Sequence, residues 1–205
     1  MKPRVKTEIR AHGVRALLAR HPAVRKLKHQ YIPSTHGNRI WGSSWVLMDY
    51  IGRRKPPGPL KVMEVGCGWG LAGIYCARKL HARVKAVDTD PEILPYLALH
   101  AKVNGVEIEF VKGAFGGLKA QALQDIDLLI GADICFWDNM VLSLKRLINR
   151  ALKSGVPMIL IADPGRSPFH QLCEYYVGRK LGFAFDWTTR RPRHIQGRIL
   201  RIGML

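Results

Sequence analysis

The segment over residues 62–70, which reads VMEVGCGWG, constrains the fold more than any other part of the chain. An apolar run enters a turn with glycine at every second position, and an apolar helical pattern follows over residues 71–80. Glycine permits backbone conformations and close approaches to a ligand that a side chain would block. A strand, a glycine-rich turn and a helix in this order are typical of nucleotide-binding α/β folds.

Strand and helix patterns alternate through the rest of the chain. Alternation of this kind predicts parallel strands with helical crossovers, and near-continuous apolar runs predict a sheet that is covered on both faces. Two final patterns predict an antiparallel hairpin over residues 183–188 and 195–204. The other strand patterns cover residues 60–65, 82–88, 106–111, 126–132 and 156–162, and the helical patterns cover residues 43–53, 71–80, 91–103, 139–152 and 169–181.

Two acidic residues flank the glycine-rich turn. Glu64 lies two residues before Gly66, where a carboxylate repels a pyrophosphate but suits a cofactor with a positive amino or sulfonium group. Asp88 ends the next strand pattern, about 20 residues after the glycines, where an acid can accept hydrogen bonds from both ribose hydroxyls. Asp90 is the alternative for this role. Together with the glycine spacing, Glu64 favours S-adenosylmethionine over NAD.

These motifs resemble those of the class I, seven-β-strand, S-adenosylmethionine-dependent methyltransferases. The resemblance implies a Rossmann-like α/β fold with a mostly parallel seven-stranded sheet, an antiparallel last strand inserted beside the fifth, and helices on both faces. It implies S-adenosylmethionine as the cofactor and S-adenosylhomocysteine as the product. No metal is expected, because the histidines and cysteines show no ligand spacing. The resemblance and the turn together predict cofactor contacts at Trp41, Glu64, Gly66, Cys67, Gly68, Asp88, Thr89, Phe115 and Ala132.

Three further segments resemble a lysine-methylating branch, namely the electron-transfer-flavoprotein β-subunit lysine methyltransferases and their bacterial relatives, sometimes labelled predicted nicotinamide methyltransferases. Residues 36–51 resemble its Trp-containing segment before the first strand. Residues 131–138 (GADICFWD) resemble its DxxY motif, and residues 160–166 (LIADPGR) its DPGR segment. The resemblance implies a protein-lysine N-methyltransferase. The chain departs from the motif at Phe136, which stands where the branch has Tyr, so the hydrogen bond of that hydroxyl must come from elsewhere.

Asp133, the acid of the DxxY-like motif, is the predicted catalytic residue. Methyl transfer is an in-line displacement at a sulfonium carbon, so the attacking nitrogen needs a free lone pair. A carboxylate at the carboxyl end of a strand can orient an amine and stabilise its positive charge, and open α/β sheets bind ligands at that edge. Capping of the following helix is the alternative role. Asp163 and Arg166 fit ordinary turn chemistry as well as substrate contact.

The first 35 residues resemble no known family, whereas the resemblance spans residues 36–205. The sequence therefore predicts a basic helical N-terminal extension over residues 1–35 and an S-adenosylmethionine-dependent methyltransferase domain over residues 36–205. Residues 1–30 contain nine Lys or Arg and one acid, Glu8. This composition partly matches a mitochondrial presequence, but the stretch has almost no serine and runs straight into the fold.

The charge of the chain bears on its partners. The sequence has 33 Lys or Arg against 15 Asp or Glu, which gives a net charge of +18. Such a field attracts polyanions or acidic protein surfaces. An acidic protein substrate is the favoured partner. The alternative substrates are RNA or another nucleic acid and a small-molecule amine. A further alternative is that the chain keeps the methyltransferase fold as a binding module without activity. Against a nucleic-acid substrate, the chain lacks the Asn/Asp-Pro-Pro-aromatic motif that amino-adenine methylases carry after the fourth strand.

The cysteines and the hydropathy bear on localisation. None of the four cysteines belongs to a CxxC pair or to a zinc-ligand pattern, and no run of about 18 apolar residues occurs. These features predict a reducing, cytoplasmic setting without membrane association. The 47% hydrophobic content is that of a globular protein that buries a core. The sequence sets neither the oligomeric state nor the identity of the methyl acceptor.

Overall fold

The computed structural model describes residues 6–33, 37 and 39–203. Nine strands are present in this part of the chain: β1 (Glu8–Ala11), β2 (Val14–Leu17), β3 (Lys61–Val65), β4 (Arg83–Asp88), β5 (Glu109–Lys112), β6 (Leu128–Ala132), β7 (Met158–Asp163), β8 (Gly182–Thr189) and β9 (Ile195–Gly203). Its α-helices are α1 (Pro22–Gln30), α2 (Gly42–Arg54), α3 (Leu71–Leu80), α4 (Leu94–Asn104), α5 (Ala120–Leu123), α6 (Asp138–Lys153) and α7 (Ser167–Gly178), and a 3-10 turn (Pro91–Ile93) precedes α4.

Seven strands form one sheet in the order β5-β4-β3-β6-β7-β9-β8. The pairs among β3, β4, β5, β6 and β7 are parallel. Strand β9 alone runs the other way, because it pairs antiparallel with both β7 and β8. The predicted fold is therefore confirmed, including the antiparallel last strand beside the fifth strand of the sheet. The short helix α5 was not predicted.

The two faces of the sheet are covered by different helices. Side chains of β3 alternate between the faces, as the period of a strand requires. Val62 packs in a buried cluster with residues of α2, α3 and α4, whereas Met63 and Val65 pack in a second cluster with residues of α5, α6 and α7. The sheet thus separates two apolar layers, and the carboxyl ends of its parallel strands open at one edge. No helix in the described residues is long and apolar enough to cross a membrane.

The prediction of a helical N-terminal extension over residues 1–35 was wrong for residues 8–17. Strands β1 and β2 form an antiparallel hairpin with Ala11 opposite Val14. Its two turn residues, His12 and Gly13, have φ of 52° and 77°, as expected of the two-residue turns that match the twist of a hairpin. The helical prediction is confirmed only for α1.

The hairpin is attached to the main body of the protein. The Arg15 amide donates to Oδ1 of Asn104 (2.8 Å), and the Leu17 amide donates to Nε2 of buried His100 (3.1 Å). Ala11, Val14 and Ala16 belong to the cluster under α2, α3 and α4. The domain boundary at residue 35 stays a prediction. His36 and the predicted strand end at Met204 lie outside the described residues.

Candidate active site

The glycine-rich turn joins β3 to α3 at the carboxyl edge of the sheet. Gly66 has φ of 60° and Gly68 has φ of 50°, in the left-handed region that side chains rarely adopt. A Cβ atom on Gly66 would lie 2.5 Å from Cγ2 of Ile134, whereas a Cβ atom on Gly68 would meet nothing within 4 Å. The first glycine is therefore required by packing, and the second keeps open the space beside the turn.

Asp88 ends β4 beside this turn. One of its carboxylate oxygens accepts a hydrogen bond from the Gly68 amide (3.0 Å) and the other accepts one from the Asp90 amide (3.1 Å). Burial raises the pKa of the Asp88 carboxyl above its usual value, although these amides act in the opposite direction. The carboxylate is thus fixed in orientation at the position where the sequence predicted a ribose contact.

Glu64 is 3% exposed and points from β3 toward the first turn of α3. Its Oε2 accepts a hydrogen bond from the Gly73 amide (2.9 Å), so it satisfies one of the helix amides that have no intrahelical partner. Burial raises the pKa of Glu64 to about 8. At neutral pH the carboxyl group therefore holds its proton for most of the time, and a nearby cation would favour its ionisation.

These residues line one cavity of about 400 Å³, which is in the size range of small-molecule sites. All ten predicted site residues lie on its wall: Trp41, Glu64, Gly66, Cys67, Gly68, Asp88, Thr89, Phe115, Ala132 and Asp133. Several other lining side chains were not predicted from the sequence, namely Arg39, Ser44, Asn139, Met140 and Ser143. Their spacing carries no motif. They reach the cavity because the segment before α2 and the start of α6 both lie at its mouth.

Asp133 follows β6, and its side chain is held by α2 and by the segment before α7. Its own φ is 57° and the residue is 5% exposed. One carboxylate oxygen accepts from the Ser43 amide in the first turn of α2 (3.0 Å), and the other lies 3.0 Å from Nη1 of Arg166. The same Arg166 nitrogen lies 2.6 Å from Oδ2 of Asp163, whose Oδ1 accepts from the Gly165 and Arg166 amides. The side chain of Asp133 therefore caps α2. The N-cap position of α6 is Trp137 and not Asp133.

Aromatic side chains surround this carboxylate. The rings of Trp41 and Phe136 meet edge to face with their centroids 5.2 Å apart. The centroid of the Trp137 ring lies 5.6 Å from that of Phe136. The guanidinium of Arg166 stacks 4.2 Å over the Phe136 ring, and that of Arg39 stacks 3.7 Å over the Trp41 ring. Phe136 thus contributes a ring face at the position where the resembling branch has a Tyr hydroxyl.

The charges along the cavity are the reverse of those in the whole chain. Among the described residues on its wall there are four acids, Glu64, Asp88, Asp90 and Asp133, and one base, Arg39. The chain as a whole has more than twice as many basic as acidic residues. A basic protein with a carboxylate-lined cavity repels anions from that cavity and attracts cations. In the described residues, no three His, Cys, Asp or Glu side chains are grouped as metal ligands would be.

Comparison with known families agrees with this arrangement. Residues 62–155, from β3 into the turn after α6, match the family model described as a methyltransferase domain. The similarity to methyltransferase domains thus covers this segment of the chain. Together with the seven-stranded sheet, the match confirms the predicted Rossmann-like fold of class I methyltransferases, and the activity of the protein stays a proposal. The lysine-methylating branch stays a prediction.

Curated relatives are similar over part of their length. The ubiquinone biosynthesis O-methyltransferase of Xylella fastidiosa (strain 9a5c) is 33% identical over 81 residues, which are 40% of this chain and 29% of that protein. The chain thus spans less than a third of this relative, and the acceptor of that enzyme does not carry over.

Two solved structures show the same fold. The Pyrococcus abyssi tRNA (uracil-54, C5)-methyltransferase, in complex with S-adenosyl-L-homocysteine, has a TM-score of 0.60 and 16% identity, and the match covers 98% of this chain and 47% of that one. The ribosomal protein L11 methylase of Lactobacillus delbrueckii subsp. bulgaricus has a TM-score of 0.57 and 19% identity, over 79% of each chain. At such identities the likeness shows the fold alone.

Proposed function

We propose that the chain is an S-adenosylmethionine-dependent N-methyltransferase whose acceptor is the amine of a protein lysine side chain. The observation that carries this proposal is the carboxylate-lined cavity in a strongly basic protein. The cofactor carries a sulfonium and an amino group, and a lysine side chain carries an ammonium. Both are cations, and both suit a cavity with four acids on its wall.

The residues of the cavity fit this cofactor. The fixed carboxylate of Asp88 can accept hydrogen bonds from the two ribose hydroxyls. Gly68 leaves open space beside the turn, which lets a ligand approach the backbone. Glu64 lies next to this space and would ionise as the cofactor amino group arrives. Phe115 offers a ring on which a purine can stack, and it lies near the same turn, 3.8 Å from a Cβ atom built on Gly66.

S-adenosylmethionine, when bound, supplies an electrophilic methyl group on its sulfonium. The protein must then hold a neutral amine in line with it. Asp133 is placed to accept a hydrogen bond from that amine and to stabilise the positive charge that develops on nitrogen. Since Arg166 and the Ser43 amide already engage both of its oxygens, we assign Asp133 to orientation and charge stabilisation rather than to removal of the amine proton.

Arg166 and Asp163 support this role. The three charged side chains Asp133, Asp163 and Arg166 sum to one negative charge, and Asp163 is fully buried. Arg166 is thereby engaged with two carboxylates, so it is not available to bind an anionic acceptor. The acceptor end of the cavity therefore favours an amine over a phosphate or a carboxylate.

A nucleic-acid acceptor is the second candidate, and one surface feature favours it. The loop between β8 and β9 exposes Arg190, Arg191 and Arg193. The end of this loop packs close to the cavity wall. Ile195, the first residue of β9, lies beside Gly42, where a Cβ atom would be 3.4 Å from its Cγ2, and Gly42 adjoins the lining residue Trp41. Exposed arginines in this loop can bind the phosphates of a nucleic acid, and they can equally bind an acidic protein.

A methyl-transfer assay separates the candidate acceptors. We would incubate the protein with cell extract and S-adenosylmethionine that carries a tritiated methyl group. One half of the labelled extract would be treated with protease and the other half with nuclease, and the Asp133→Asn variant would serve as the control. The proposal predicts label in one protein band that survives nuclease and is lost with protease. Label that is lost with nuclease would assign the acceptor to nucleic acid. Label of low mass would assign it to a small molecule.

A further inference from the structure

Arg39 differs from the other charged residues of the cavity wall, because it is the one base among them in the described residues. It is exposed, and its guanidinium stacks 3.7 Å over the Trp41 ring. No carboxylate in the described residues forms an ion pair with it. By contrast, Arg166 is shared between two carboxylates. Arg39 therefore presents the available positive charge at this cavity.

The segment that carries Arg39 is anchored on both sides. Before it, the Gly37 carbonyl accepts a hydrogen bond from Nε1 of Trp69 in the glycine-rich turn (2.8 Å). After it, Trp41 packs against Phe136. Trp69 is itself buried and stacks on Tyr96 with the two rings nearly parallel. The segment that carries the guanidinium is thus attached to the protein by buried Trp69 on one side and by the half-buried Trp41–Phe136 contact on the other.

S-adenosylmethionine has one anionic group, the carboxylate of its methionine part. In many proteins an anion binds the free amides at the start of a helix. Here Glu64 already accepts from the Gly73 amide of α3, and the Gly68 amide donates to Asp88. The remaining acidic side chains on the described part of the wall offer no positive charge to a carboxylate. Among the described residues of the wall, Arg39 is therefore the one whose charge complements this group.

We propose that Arg39 binds the methionine carboxylate of the cofactor. This inference rests on the proposed function, since it takes S-adenosylmethionine as the ligand. A guanidinium can bind a carboxylate with two parallel hydrogen bonds. Stacking on Trp41 fixes the plane of the guanidinium before the ligand arrives, which reduces the entropy lost on binding.

The test compares two ligands that differ only in this group. We would measure, by isothermal titration calorimetry, the affinities of S-adenosylmethionine and of decarboxylated S-adenosylmethionine for the wild type, Arg39→Gln and Arg39→Lys. The matched control is Arg53→Gln, because Arg53 is an exposed arginine over the Trp187 ring (5.8 Å) that does not line the cavity.

The proposal predicts that Arg39→Gln lowers the affinity for S-adenosylmethionine roughly tenfold or more, as expected for loss of a charged hydrogen-bond partner. The affinity for the decarboxylated ligand should change less than about threefold, because that ligand lacks the carboxylate. Arg39→Lys should retain part of the affinity, and Arg53→Gln should bind like the wild type. Equal weakening of both ligands would overturn the assignment, since Arg39 would then act through the packing of Trp41. Unchanged affinity in Arg39→Gln would also overturn it. A wild type that binds neither ligand would refute the proposed function itself.

Discussion

Alanine substitutions at two glycines of the same turn should have different consequences. In Gly66→Ala, the residue would keep a φ near 60°, which costs an L side chain about 1–2 kcal/mol. Its Cβ would also lie 2.5 Å from the buried Ile134 side chain, and such overpacking costs about 1–3 kcal/mol. The free energy of unfolding should therefore fall by about 2–5 kcal/mol.

In Gly68→Ala, the free energy of unfolding should fall only by the cost of the left-handed backbone, about 1–2 kcal/mol. A Cβ atom at Gly68 meets nothing within 4 Å, so there is no overpacking. The added methyl group would instead stand beside the cavity and weaken cofactor binding. Urea unfolding monitored by circular dichroism gives the two stabilities, and calorimetry gives the two cofactor affinities. Equal losses of stability in the two variants would refute this account of the turn, as would undiminished cofactor affinity in Gly68→Ala.

Three further predictions follow from buried polar residues. Since burial raises the pKa of Glu64 to about 8 from an ordinary 4.5, the folded protein retains a proton that the unfolded chain has released, and the free energy of unfolding should fall as pH rises from about 5 to 8. Urea unfolding across this range should show a smaller fall in Glu64→Gln, and an identical slope would contradict the assignment. Asp133→Asn should keep cofactor affinity within about threefold and lower turnover roughly a hundredfold or more; turnover near the wild-type rate in the transfer assay would make Asp133 structural. Asn104→Ala should cost about 1–3 kcal/mol, because the Asn104 side chain bonds both the amide and the carbonyl of Arg15; hydrogen exchange should quicken in β1 and β2, and unchanged protection there would refute that role.

Much of the central fold was predictable because local pattern and tertiary structure agree there. The strand of residues 61–65 is buried from Val62 onward, since helices cover both sides of the sheet, and the glycine turn and Asp88 have a fixed spacing in nucleotide-binding folds. The predicted helix over residues 71–80 therefore coincides with α3.

The N-terminal hairpin was missed for a physical reason. Each strand has only four residues, a run too short to distinguish a period of two from a period of 3.6, and the His-Gly turn is a weaker hairpin signal than Asn-Gly. The apolar residues of β2 are buried against α3 and α4, which are distant in sequence. Local pattern alone could not supply these contacts.

The sequence identified the acids of the site but not their partners. Asp133 could be placed at the end of a strand, yet its contacts come from Ser43 and Arg166, and no spacing rule relates positions so far apart. The same holds for Arg39, which reaches the cavity because the turn residue Trp69 holds the preceding segment through the Gly37 carbonyl. Pairings of this kind depend on the tertiary arrangement of loops at one edge of the sheet.

The most direct test of the central claim is a calorimetric titration of S-adenosylhomocysteine into the wild type and into Asp88→Ala. The account predicts one binding site per chain in the wild type and an affinity at least roughly a hundredfold weaker in Asp88→Ala, because two charged hydrogen bonds to the ribose are lost. Equal affinity in the two proteins would contradict the assignment of Asp88 to the ribose. No binding to the wild type would contradict the cofactor site altogether.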